Sequence, residues 1–224
     1  MAKIFLKKSL LMQISREVCY TCYRPKSSCV CEHIKPIQTK TKFILLMHPK
    51  EYRKTKNTTG HLTHKSLENS HLFIGINFLN HPTIQAIIAD ENNECFLLYP
   101  SENAIKLNHE KLESQKNMVI FIIDSTWACS RKILRENTFF KSMKKISFQH
   151  NLRSQFHIKT QPNEACLSTI ESTLCLLDLL NQQGVEAIEK SGIEQFLRPF
   201  NAMVTYQLEC AKNRVIRTKE DVSI

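Results

Sequence analysis

The sequence predicts an α/β protein with a small cysteine-rich module near its N-terminus. Three observations carry this expectation. Short apolar runs rich in β-branched and aromatic residues alternate with longer segments of helical spacing. Four of the nine cysteines fall between residues 19 and 31. The chain of 224 residues is 42% hydrophobic and 23% charged, which suffices for one compact domain and a small appendage.

Residues 1–17 read as a basic amphipathic lead-in. Lys7 and Lys8 interrupt its apolar stretch, so it is not read as a secretory signal. Residues 18–36 hold the pattern Cys19-x-x-Cys22-x6-Cys29-x-Cys31, with Pro25 turning the chain between the two pairs. Four thiols at this spacing can converge on one tetrahedral ion, and zinc is the default because it favours tetrahedral sulfur. With all four positions filled by sulfur, such a zinc is structural. The same residues would serve an iron–sulfur cluster or a redox Cys-x-x-Cys, or stand as two pairs of free thiols, and His33 is a substitute ligand. Cys95, Cys129, Cys166, Cys175 and Cys210 are scattered through apolar or helical contexts and read as reduced thiols.

Lys42–Met47 reads as the first strand of the main domain, ended by His48-Pro49. A polar basic loop runs to Gly60. A helix follows over 61–72, with Leu62, Leu67 and Leu72 apolar. Strands are expected at Pro82–Ala89, Cys95–Tyr99, Met118–Ile123 and Lys145–Phe148. Helices are expected over 126–137, 167–183 and 193–213, with a polar basic loop over 149–163 and a frayed tail from Val215. There is no internal repeat, so the chain divides into a module over 1–36 and one α/β domain over 37–224.

The strand Met118–Ile123 ends in Asp124-Ser125-Thr126-Trp127, which contains the single tryptophan of the chain. A carboxylate at the C-terminal end of a buried strand lies where open α/β sheets bind ligands. Only four glycines are present, and neither a Gly-x-Gly-x-x-Gly nor a Walker loop can be written from them, which argues against a Rossmann or P-loop site. No run approaches the roughly 18 apolar residues of a membrane span. The net charge of +10 is uneven. Residues 1–56 carry 13 Lys/Arg against 3 Asp/Glu, and residues 131–159 carry 8 against 1. Two basic blocks on a less basic body suit a phosphate-backbone partner.

Asp124-Ser-Thr-Trp127, the Cys19…Cys31 module with Pro25, His48-Pro49-Lys50-Glu51 with Asn57-Thr-Thr-Gly60, Leu98-Tyr99-Pro100-Ser101 and Ser168-Thr169-Ile-Glu171 occur in one order along the chain. In that order they resemble the motifs of the DTW-domain family, tRNA-uridine aminocarboxypropyltransferases related to the SPOUT RNA-modifying enzymes. Upstream of the last motif this chain has Asn151-Leu-Arg153-Ser-Gln-Phe156-His-Ile-Lys159, where the family usually carries an aromatic residue and paired arginines.

The resemblance implies a SPOUT-like knotted, mostly parallel sheet with flanking helices and S-adenosylmethionine as donor. It implies transfer of the 3-amino-3-carboxypropyl group to N3 of a uridine in tRNA. The residues carried over are Leu98, Tyr99, Pro100, Ser125, Thr126, Trp127, Ser168, Thr169 and Glu171 for the donor, with zinc on Cys19, Cys22, Cys29 and Cys31. Asp124 is the candidate base, with Glu171 and Glu51 behind it. Arg53, Lys54, Arg131, Lys132 and Arg153 are candidates for RNA phosphates. A cytoplasmic monomer that touches no membrane is expected. Two other readings stay open: a SPOUT-like RNA methyltransferase, and a non-catalytic zinc-ribbon RNA-binding protein. Each site residue also has a plain structural reading. Asp124 would cap the following helix, Trp127 would be core, and Ser168 with Glu171 would form a capping box.

Overall fold

The computed structural model describes residues 17–53, 58–150, 154 and 166–220, with side chains to residue 213. Among these residues six strands, β1 (Lys42–Met47), β2 (Ser70–Ile74), β3 (Asn93–Leu98), β4 (Ile105–Lys106), β5 (Asn117–Asp124) and β6 (Lys144–Ser147), form one sheet in the order β2-β1-β5-β3-β6-β4. Every pairing is parallel. The helices are α1 (Pro49–Tyr52), α2 (Thr59–Lys65), α3 (Pro82–Ala89), α4 (Trp127–Glu136), α5 (Thr169–Gln182) and α6 (Lys190–Glu220).

A parallel sheet must be covered on both faces, and its central strands are therefore apolar throughout. β5 alternates cleanly between two cores. Met118, Ile120 and Ile122 face one core with Phe43, Leu45 and Phe96, and with Leu176, Leu177 and Leu180 of α5. Val119 and Phe121 face the other, with Ile44, Leu46, Ile84, Ile133 and Phe140. Ile120 and Phe121 are fully buried, and each such side chain contributes about 1.5–3 kcal/mol. The first face is covered by α2, α5 and α6, the second by α3 and α4. The chain leaves β1 for β2 on one side and leaves β5 for β6 on the other. This reversal makes a topological switch point at the carboxyl ends of β1 and β5, where Met47 pairs in register with Asp124.

Two sequence expectations are corrected. Pro82–Ala89 is a helix, not a strand. Pro82 occupies its first turn, and Ile84 and Ile87 fall three apart on the face turned to the second core. The expected helix over 61–72 is α2 followed by β2. It stops at Ser66, whose N–H reaches back to Leu62 and Thr63, and Ser70–Ile74 then pairs along β1. The lead-in over 1–16 and most of the 149–163 loop lie outside the described residues.

Residues 17–36 contain two single 3-10 turns, Lys26–Ser28 and Cys31–His33, and an isolated antiparallel bridge between Val18 and Pro25. Of their side chains Cys22, Arg24 and Val30 are buried. The Arg24 guanidinium donates to the Met203 sulfur of α6 at 3.0 Å. So little regular structure needs another source of cohesion.

Candidate functional site

Asp124 ends β5 and is 6% exposed. The Thr169 hydroxyl, at the start of α5, donates to its Oδ1 at 2.5 Å. The backbone N–H of His48 donates to its carbonyl at 3.0 Å. Gly60 of α2 packs so closely on the carboxylate that a Cβ there would lie 2.5 Å from its carbon, closer still to Oδ2, and 2.9 Å from Met47 Cε. One carboxylate thus touches the beginnings of α2 and α5 at the carboxyl ends of β1 and β5. It is not the cap of α4, because Thr126 holds that position with extended backbone. Gly60→Ala is expected to destabilise the fold by about 1–3 kcal/mol, as overpacking does, and to displace the carboxylate. Chemical denaturation measures the first effect.

Beside Asp124 lies a cavity of about 270 Å³ over the ends of β3, β5 and β6. Of the sequence candidates, Leu98, Tyr99, Pro100, Ser125, Trp127 and Thr169 line it. Trp127 is 46% exposed, so it is a wall rather than core, and its ring meets Tyr99 edge-on at 6.1 Å. Thr126, Ser168 and Glu171 are not in the wall. The Ser168 N–H donates to the buried Glu171 carboxylate at 2.8 Å, as the hydroxyls of Ser168 and Ser154 also do, so Glu171 serves as the capping carboxylate of α5. Sequence reasoning missed the far wall, Ser147, Phe148, His150 and Cys166. The one available signal was position, since Ser147 and Phe148 lie at the carboxyl end of a parallel strand.

His48 caps α1, its Nδ1 accepting from the Lys50 N–H at 3.1 Å. Burial, then Lys50, pushes it below the usual imidazole value. It is a satisfied strand-end histidine. Glu51 is buried in α1. Arg53 is exposed just after α1, and Arg131 and Lys132 are exposed on α4. Lys54 and Arg153 lie outside the described residues.

The four cysteine sulfurs all lie within 4.8 Å of one another, with Cys19–Cys31 at 3.6 Å and Cys22–Cys29 at 3.8 Å. A tetrahedron with metal–sulfur bonds of about 2.3 Å has edges of about 3.8 Å, close to the two shorter separations, so the four thiols suit a zinc ion. The backbone N–H groups of Cys22 and Thr21 pull Cys19 down to about 6, as the knuckle of a thiolate ligand requires. Burial and the neighbouring thiols push Cys31 up. Burial pulls the Arg24 guanidinium down, and Cys22, Cys29 and Cys31 oppose that shift. Arg24 therefore places a compensating positive charge beside the thiols.

The DTW domain model matches residues 16–208. The chain belongs to the DTW-domain family. "tRNA-uridine aminocarboxypropyltransferase 2" of Mus musculus is similar to this DTW chain, with 27% identity over 198 residues, 87% of this chain and 64% of the relative. The namesake of Drosophila melanogaster is 26% identical over 202 residues, 87% of this chain and 76% of the relative. "tRNA-uridine aminocarboxypropyltransferase A" of Arabidopsis thaliana is 24% identical over 233 residues, 91% and 86%. The DTW chain thus spans less than two thirds of the mouse relative's length. No solved structure gave a significant match. Among the described residues no helix is long and apolar enough to cross a membrane.

Proposed function

We propose that the protein transfers the 3-amino-3-carboxypropyl group of S-adenosylmethionine to N3 of a uridine in tRNA. The observation that carries this reading is the buried Asp124, set between a wall of the cavity and the start of α2. Family membership and the names of the relatives supply the reaction class. The donor's sulfonium makes three carbons electrophilic, and the site chooses among them by position.

In this reading the apolar wall of Leu98, Ile122 and Leu167 takes the adenosine, with Tyr99 and Trp127 as its aromatic side. The hydroxyls of Ser125, Ser130 and Ser172 supply hydrogen bonds. Glu171 contributes by fixing the start of α5. Asp124 takes the proton from N3, and N3 then bonds to the terminal carbon of the aminocarboxypropyl chain. The carbon–sulfur bond breaks and its electron pair stays on sulfur, so methylthioadenosine leaves as a neutral thioether. Thr169 holds the carboxylate in place by its hydrogen bond.

The scarcity of glycine accords with a donor held by loops at the carboxyl ends of the strands, on a SPOUT-type knotted domain over 37–224. The module over 1–36 carries a structural zinc that takes no part in the chemistry. Arg53, Lys54, Arg131, Lys132 and Arg153 meet RNA phosphates, and the protein acts as a cytoplasmic monomer. Product analysis tests the reaction class. Methylthioadenosine is expected from protein, tRNA and donor together. Release of S-adenosylhomocysteine would instead make the protein a methyltransferase.

A further inference from the structure

A second group of side chains lies where the cysteine module meets the sheet domain, and the proposed chemistry does not use it. Tyr23 is 48% exposed and Tyr52 37% exposed. Both rings lean on His61, with centroids 6.4 Å and 5.4 Å away. Three chain segments therefore build one aromatic surface: the cysteine knuckle, the end of α1, and α2. His61 follows Gly60, which packs on Asp124. The surface thus lies on the α2 side of the carboxylate, while the cavity wall of Ser125 and Thr169 lies on the other.

The backbone at Tyr23 adds an independent observation. Its φ is 57°, and it is the only non-glycine residue in the left-handed region among the described residues. The knuckle imposes this conformation, because the Tyr23 N–H bonds to the Cys19 carbonyl at 2.8 Å. Glycine adopts it freely, whereas a bulky L residue is strained. A tyrosine there worsens the fold and leaves its ring half in water. That choice makes physical sense if the ring has a partner.

The chemistry of the patch selects that partner. Burial, followed by Lys65, His64 and Arg24, pulls His61 down to about 4, so the ring that supports the two exposed tyrosines is neutral at physiological pH. Exposed Arg53 directly follows Tyr52, and residues 1–56 hold most of the excess positive charge. Flat uncharged rings bordered by cations suit stacked bases on an anionic backbone. We infer that Tyr23, His61 and Tyr52 form a stacking surface for unpaired nucleobases of the RNA substrate, beside the uridine to be modified. This rests on the reading of the protein as an RNA-modifying enzyme.

The test is equilibrium binding of short oligouridylate and oligoadenylate to the full chain, without donor, over a range of salt. Tyr23→Gly and Tyr52→Ala are each expected to weaken binding of both oligonucleotides by about tenfold, the scale of one lost base stack. Because no charge is removed, the salt slope should stay that of the parent. Tyr23→Phe should bind like the parent. Tyr23→Gly relieves the backbone, so its zinc content should be unchanged and its melting temperature equal or higher. Loss of RNA affinity with gain of stability is an outcome that a purely structural tyrosine would not give. Parent-like affinity in both variants overturns the inference and leaves a protein partner as the occupant of the patch. Oligonucleotide binding needs no donor. Dependence on the rings without group transfer would therefore overturn the enzymatic reading alone, and transfer without that dependence would overturn the stacking surface alone.

Discussion

Asp124→Asn is expected to lower the single-turnover rate by about a hundredfold or more, the usual scale for a lost general base. The substitution keeps the shape of a side chain that is 6% exposed, and an amide oxygen can still accept from the Thr169 hydroxyl. Binding of donor and of tRNA should therefore change little. The defect should ease as pH rises, because more uridine ionises at N3 without help. A carboxylate that only ties β5 to α2 and α5 gives the opposite pattern: a lower melting temperature with the rate per folded molecule retained. Single-turnover rates across pH, read beside melting curves, separate the two. A parent-like rate near neutral pH removes Asp124 as the base. Glu171, the alternative, is already engaged by the Ser154 and Ser168 hydroxyls and the Ser168 N–H.

Loss of the metal is the second large effect. The purified chain should hold about one zinc, and a Cys19→Ser/Cys29→Ser double variant should hold none. Among the described residues of the module, Cys22, Arg24 and Val30 alone are buried, so its shape depends on the four sulfurs. Without zinc, Arg24 loses its anionic neighbours while it stays against Met203. A buried charge stripped of its partner costs about 3–5 kcal/mol, and the resulting loss of packing on α6 should appear as a lower melting temperature. Elemental analysis and thermal unfolding, with and without chelator, give both quantities. Unchanged zinc in the double variant would contradict the assignment.

What could be read from the sequence was local. Cys19 to Cys31 and the step from Met118–Ile123 to Asp124 each lie in one short window, and their chemistry follows from spacing. Thr83-Ile-Gln-Ala-Ile-Ile88 was ambiguous because its apolar residues fit period 2 as well as period 3.6. Pro82 in the first turn was the neglected signal. β2 was hidden because Ser70–Ile74 becomes a strand only through its pairing with β1, some 27 residues earlier. The far wall of the cavity, Phe148, His150 and Cys166, comes from chain between β6 and α5 with no motif of its own. The Tyr23–His61–Tyr52 surface joins segments that only folding brings together.

The group moved and the atom that receives it define the proposed reaction. Mass spectrometry of nucleosides from tRNA incubated with the protein and carboxyl-labelled S-adenosylmethionine addresses both. The expected result is a uridine bearing the labelled aminocarboxypropyl group at N3, formed by the parent and nearly absent with Asp124→Asn. A methylated nucleoside without the label, or unmodified tRNA in the presence of saturating donor, would contradict the account.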